Sequence, residues 1–189
     1  MQTDDDINNC LSVLIEGGII LYPTDTVWGI GCDATNEKAV EKIFNLKNRN
    51  EEKSMIILVA DERDVASYTN DPNAVIFDYI KTIHKPTTVI YDNAKNLAAN
   101  LINKDGSIAI RIVKDDFCSK LIKAFGKPIV STSANISGFP PASFFEDIDI
   151  AIKKGVDYIV QHRQDDCIPS SPSSVIKVGS RGEIIVIRP

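Results

Sequence analysis

Apolar positions along the chain follow two periods. Ile7, Leu11, Leu14 and Ile15 form one stripe at helical spacing, between Asp4 to Asp6, which can cap a helix, and Gly17-Gly18, which can end it. Ile19 to Tyr22 is a short apolar run and predicts a buried strand. Pro23 to Ala34 shows neither period. It reads as a loop of 12 residues carrying Thr24, Asp25, Thr26, Trp28 and two glycines. Loops of that length without structure of their own are often functional.

A helix is expected from about Asn36, with Val40, Ile43, Phe44 and Leu46 inward, fading near Lys47-Asn48-Arg49-Asn50. Met55 to Val59 predicts a strand, and two helices fit between Asp61 and Ile83. Strands are expected at Thr87 to Tyr91 and Ser107 to Val113, then a helix from Asp115 to Phe125, stopped by Gly126 and Pro128. Ile129 to Ser131 predicts a short strand opening into Ser131-Thr132-Ser133-Ala134-Asn135. A helix near Phe145 to Lys154 follows, then strands at Tyr158 to Gln161, Ser174 to Val178 and Ile184 to Ile187, with a hairpin-like turn at Gly179-Ser180-Arg181-Gly182. Strands and helices mingle without strict βαβ alternation, which predicts an α/β fold with a mixed sheet, in one domain over residues 1–189.

Composition narrows the function. A net charge of −5 argues against a nucleic-acid coat protein but leaves room for a local basic groove. Cys10, Cys32, Cys118 and Cys167 form no C-x-x-C pair, so neither a zinc cluster nor a disulfide framework is indicated. With His84 and His162 as the histidines, a His-based metal site or a Ser-His-Asp triad has little to work with. No apolar run approaches the ~18 residues of a membrane span. The acidic start, Met1-Gln2-Thr3-Asp4-Asp5-Asp6, lacks the features of a signal peptide, so the expected location is the cytoplasm.

Gly29-Ile30-Gly31-Cys32-Asp33-Ala34 matches the dinucleotide fingerprint G-x-G-x-x-G/A. Six residues, Pro23 to Trp28, separate it from the preceding strand, and Asp33 stands where a pyrophosphate needs backbone N–H groups. That site is therefore rejected; the glycines serve a tight turn or a close approach. There is no G-x-x-x-x-G-K-[ST] sequence, so any ATP is held in another way.

Three features carry candidate chemistry, each with an ordinary alternative. Lys47, Arg49 and Lys53 form a basic run that is either a solvated helix C-terminus or, if the helix ends there, a converging set for a triphosphate. Ser131 to Asn135 is either a capped turn or a set of hydroxyl and amide donors facing phosphate. Arg111, inside Ile108-Ala109-Ile110-Arg111-Ile112-Val113, is either at an exposed edge or inward with a carboxylate or phosphate partner.

Together these segments resemble the YrdC/TsaC family of threonylcarbamoyl-AMP synthases. Tyr22-Pro23-Thr24-Asp25-Thr26-Val27-Trp28-Gly29-Ile30-Gly31 is similar to the family's Y-P-T-[DE]-[TA]-V-[YF]-G-[LV]-G, and Lys47-Asn48-Arg49 to its K-x-R. Ile108 to Arg111 looks like V-[AG]-[VI]-R, and Pro128 to Gly138 like P-[LI]-[VL]-S-T-S-A-N-x-S-G. Pro172-Ser173-Ser174-Val175-Ile176 resembles P-S-T-[IV]-[IV], and Ile187-Arg188-Pro189 the closing I-R-P. Each motif alone is weak; the ordered set is highly specific.

The resemblance implies a twisted mixed sheet with flanking helices around a concave basic cleft, without a P-loop. It implies that Thr26, Arg111, Ser131 and Ser173 hold L-threonine. It places Lys47, Arg49, Lys53, Ser107, Ser133, Asn135 and Pro141 around ATP. Lys47, Arg49, Ser133 and Asn135 match the catalytic K-x-R…S-x-N tetrad, which is incomplete in a paralogous branch. Threonine and bicarbonate (or CO₂) would give a carbamate that attacks the α-phosphate of ATP and expels pyrophosphate, with Mg²⁺ accompanying ATP. The implied enzyme is a nucleotidyltransferase of the short, single-domain type. It would serve tRNA modification and hand its product to a separate tRNA threonylcarbamoyl-transferase complex, with tRNA contact an open possibility and no membrane involved. Trp28, in place of Tyr or Phe, Lys85-Pro86-Thr87-Thr88, and Leu58, in place of a His of the longer members, depart from the pattern. An RNA-binding or ribosome-assembly module is the competing expectation; it predicts salt-dependent RNA binding and no threonine-dependent use of ATP.

Overall fold

The computed structural model describes residues 2–48, 55–169, 171–179 and 183–189. Six helices are seen among them: α1 (Gln2–Ile15), α2 (Glu37–Leu46), α3 (Glu62–Val65), α4 (Ala74–Thr82), α5 (Asp116–Phe125) and α6 (Ile150–Gly155). The strands are β1 (Ile20–Tyr22), β2 (Gly29–Gly31), β3 (Ile56–Val59), β4 (Thr87–Tyr91), β5 (Ile108–Ile112), β6 (Ile129–Ser133), β7 (Tyr158–Ile159), β8 (Ser174–Val178) and β9 (Ile184–Arg188). They form one mixed sheet in the order β7-β1-β2-β6-β3-β5-β4-β8-β9. The pairs β1–β7, β3–β5 and β4–β8 are parallel, and the other neighbours are antiparallel.

Local chemistry sets the helix ends. Gly17, at φ +73°, takes the left-handed turn that stops α1. Asp4 and Asp5 lie in the first turn of α1, not before it, where they favour the helix dipole. Ile15 is 75% exposed, so the buried stripe is Ile7, Cys10 and Leu14 instead. Asn36 caps α2 through Lys38 and Ala39, Asp115 caps α5 through Cys118, and Gly126 ends α5 at φ +73°. The last helix starts later than its sequence pattern suggests, at Asp149, whose side chain caps Ala151. The hairpin expected over 179–182 lies partly outside the described residues.

Two expectations about the site segments are corrected. Pro23 to Ala34 is not a structureless loop: Gly29–Gly31 pairs with β1 on one side and β6 on the other. A Gly-Ile-Gly strand has one side chain and hence no alternation to read. A Cβ on Gly31 would meet the Val130 carbonyl oxygen at 2.6 Å and the Tyr22 ring at 2.7 Å, so only glycine fits there. Likewise Ser131-Thr132-Ser133 is not a turn. It continues β6, with Gly29 opposite Ser133 and Ile56 opposite Ser131.

The register decides which side chains share a face. Gly29, Ser131, Ser133, Ile56, Ala109 and Arg111 fall on one face; Ile30, Val130, Ile57 and Ile110 fall on the other, inside the apolar core.

Candidate active site

A cavity of about 240 Å³ opens on that first face. Its floor is Gly29, Ile56, Arg111, Ser131 and Ser133; Thr26 and Val27 approach from the β1–β2 connection, and Pro141, Pro172, Ser173 and Arg188 close the far side. Thr26, Arg111, Ser131 and Ser173 are therefore brought together, with Ser133 and Pro141 beside them.

Thr24 orients Thr26. The Thr24 hydroxyl donates to the Val27 carbonyl at 2.8 Å and accepts from the Thr26 N–H at 3.0 Å. Its single proton is thus used. In the 2.9 Å contact between the two hydroxyls, Thr26 must be the donor. The lone pairs of Thr26 Oγ1 remain to accept from a ligand.

Arg111 is on an inner strand and its side chain is only 4% exposed, so the inward alternative holds. Nη2 lies 3.0 Å from Asp25 Oδ1, yet Arg111 Nε and Nη2 and Asp25 Oδ1 are all buried without a hydrogen-bond partner. The charges are near but the donors are misaligned. Such a guanidinium retains the fork that a carboxylate accepts. Leu58 pairs with Arg111 across β3–β5 and is fully buried.

Ser173 is held from two sides. Its hydroxyl is 2.9 Å from that of Thr88, one residue before the Val89–Ile110 pair of β4 and β5. Its carbonyl accepts from Arg188 Nε at 3.0 Å and Nη2 at 2.8 Å. Thr88 and Arg188 were missed as site residues. A charged residue near the end of an apolar strand was the available signal for Arg188; nothing in sequence marked Thr88.

The residues expected around ATP are spread more widely. Lys47 is fully buried, and its Nζ donates to the carbonyls of Ser133 and Asn135. Asn135 Nδ2 donates to the carbonyls of Ile136 at 3.0 Å and Phe139 at 2.7 Å, leaving Oδ1 buried without a partner. Ser107 lies outside the cavity, before β5; its hydroxyl donates to Asp105 Oδ1 at 2.6 Å and accepts from Asn103 Nδ2 at 2.9 Å. Arg49 and Lys53 lie outside the described residues. Trp28 packs against Phe145 with the rings tilted by 51° and their centroids 4.8 Å apart, and it does not line the cavity.

Burial pushes the Cys10 thiol up to about 12 and raises those of Cys32 and Cys118 as well, which disfavours the thiolate at all three.

A buried, underused guanidinium ringed by hydroxyls on a mixed sheet defines a binding protein for a small polar ligand carrying a carboxylate. The Sua5/YciO/YrdC family model, described as telomere recombination, matches residues 12–189, and the chain belongs to that family. A threonylcarbamoyl-AMP synthase of Photobacterium profundum is 35% identical over 162 residues, 83% of this chain and 86% of that protein. Escherichia coli YciO superposes with a TM-score of 0.82 at 25% identity, covering 96% of this chain and 87% of YciO. Sua5 of P. abyssi, solved in complex with L-threonine, shares the fold with a TM-score of 0.84 at 23% identity. That match covers 97% of this chain but 53% of the P. abyssi protein, so the chain spans about half its length.

Proposed function

We propose that this chain makes L-threonylcarbamoyl-AMP from L-threonine, bicarbonate (or CO₂) and ATP, releasing pyrophosphate, as the first step of N6-threonylcarbamoyladenosine formation in tRNA. The observation that carries the reading is Arg111: buried, with two nitrogens unpartnered, in a cavity shared with Thr26, Ser131 and Ser173. At about 240 Å³ the cavity is smaller than the ~300–1,000 Å³ of drug-sized pockets, which suits an amino acid and leaves the nucleotide to extend outward past Ser133.

In this reading Arg111 binds the threonine carboxylate. Thr26 Oγ1 accepts a hydrogen bond from the threonine hydroxyl or amine, and the Ser131 and Ser173 hydroxyls complete the polar lining. The amine condenses with bicarbonate to a carbamate. A carbamate oxygen then bonds to the α-phosphorus as the bond to pyrophosphate breaks. The protein forms no covalent bond; it aligns the reactants and neutralises charge. Arg49 and Lys53, with Pro141, Ser107, Ser133 and Asn135 around the nucleotide, serve ATP. Mg²⁺ enters this reading as the ion that accompanies ATP. The product passes to a separate tRNA threonylcarbamoyl-transferase complex. No described helix is long and apolar enough to cross a membrane.

The test is pyrophosphate release by the purified protein in Mg-ATP, with and without L-threonine and bicarbonate. Release that needs both, with the mass of threonylcarbamoyl-AMP among the products, is expected. A folded, ATP-binding protein without it would overturn the reading.

A further inference from the structure

Lys47 is the C-cap of α2, a place where a lysine normally reaches into water. Here its side chain is fully buried. Nζ donates to the Ser133 carbonyl and, at 2.6 Å, to the Asn135 carbonyl. The Lys47 carbonyl accepts the Ser137 N–H at 3.0 Å. Both ends of the residue therefore grip one short segment, 133–137, where the chain leaves β6. That segment carries Ser133, on the cavity floor, and Asn135. A buried ammonium persists only where its protons are bonded, and carbonyls gathered around one cation are fixed in direction by it.

We propose that Lys47 is a positioning residue. It sets the peptide planes that follow Ser133 and Asn135, and so the places of the Ser133 hydroxyl and the Asn135 side chain, without touching the triphosphate. In this inference Lys47 is not one of the cations that meet the phosphate charge. The inference rests on the ATP-using reading of the site, and it divides the K-x-R pair into a residue that shapes the site and one that binds.

The first experiment uses the unaltered protein. Reductive methylation followed by peptide mass spectrometry, with and without Mg-ATP, should leave Lys47 unmodified in both cases, while the exposed Lys120 and Lys123 are modified. Lys47 modified in the free protein and protected by Mg-ATP would mean that it faces the nucleotide, and the inference would fall. The second compares Lys47→Met and Lys47→Arg with the parent, using inorganic pyrophosphate as a probe of the phosphate site. For Lys47→Met, kcat should drop by about 100-fold while the pyrophosphate inhibition constant stays within roughly threefold. Lys47→Arg, too large for the buried site, should not rescue it. A rise of about 30-fold in that constant, with rescue by Arg, would identify a direct phosphate ligand instead. If a variant does not fold, the labelling result decides. A parent protein that uses no ATP sinks the functional reading; a labelled, ATP-protected Lys47 sinks this inference and leaves that reading standing.

Discussion

Arg111 Nη2 stands 3.0 Å from Asp25 Oδ1, with both side chains nearly excluded from water, and the pair forms no aligned hydrogen bond. A desolvated ion pair without good geometry is weak support for a fold, because its Coulomb gain barely repays desolvation. It is better suited to receiving a third partner. A substrate carboxylate placed on the guanidinium supplies the bonds that Asp25 leaves open.

Arg111→Lys should therefore raise the KM for threonine by about 100-fold, since an ammonium offers no planar fork. Arg111→Ala strands a buried Asp25 and should also cost ~3–5 kcal/mol of stability. Steady-state kinetics and thermal melts check the two. An Arg111→Ala protein that melts like the parent would show that the pair lies in water.

The glycines of β2 should differ in kind. Gly31→Ala drives a methyl against backbone at 2.6 Å and should destabilise by ~1–3 kcal/mol. Gly29→Ala meets the Ser131 hydroxyl at 3.1 Å, on the cavity floor, and should weaken threonine binding more than it lowers the melting temperature. Equal effects of both on stability and binding would refute this division of roles.

Serine should be a measurable alternative substrate. It keeps the carboxylate, the amine and the hydroxyl, and lacks one methyl, worth ~1–3 kcal/mol, or about 10–200-fold in kcat/KM. Competition between the two amino acids, read by product mass, gives the ratio. A preference beyond about 10⁴ would require a device this cavity does not show.

Thiol reactivity should be confined to Cys167, which is exposed, while Cys10, Cys32 and Cys118 are buried. A chromogenic disulfide reagent at mildly alkaline pH should count one fast thiol per chain. The sign of the linked pH effect follows from Cys10. The unfolded chain releases this proton near 9.0, but the folded chain holds it to about 12. Stability present below 9.0 is thus lost as pH rises through that window. A melting temperature that is flat or rising across it would contradict the burial of these thiols.

Elements with a full amphipathic period were legible: α2, α5, β4 and β8 fall where their side chains place them. β2 was not, because two of its three residues have no side chain to declare a face. The sequence left the end of β6 open between a capped turn and a set of donors, because hydroxyl residues suit turns; here a facing cavity explains them better than a bend does. In the site, the motif order grouped Thr26, Arg111, Ser131 and Ser173, and these four line one cavity. Sequence could not tell that Lys47 points into the protein, because helix period alone does not fix where a chain end folds over a lysine. Arg188 and Thr88 act through Ser173, a contact between residues 15 and 85 positions apart that no local pattern encodes.

Ser131 and Ser133 sit two residues apart on one strand, so their separation is a backbone repeat of ~6.8 Å. In the proposed reading β6 thereby serves as a ruler between the amino-acid end and the nucleotide end. The same arrangement ties the two hydroxyls to a common fate. A single-residue insertion earlier in β6 would turn Ser131 and Ser133 to the core together and bring their neighbours to the cavity. Such a lesion would spare neither substrate: this site can be eroded residue by residue from its loops, but along its central strand it is lost whole.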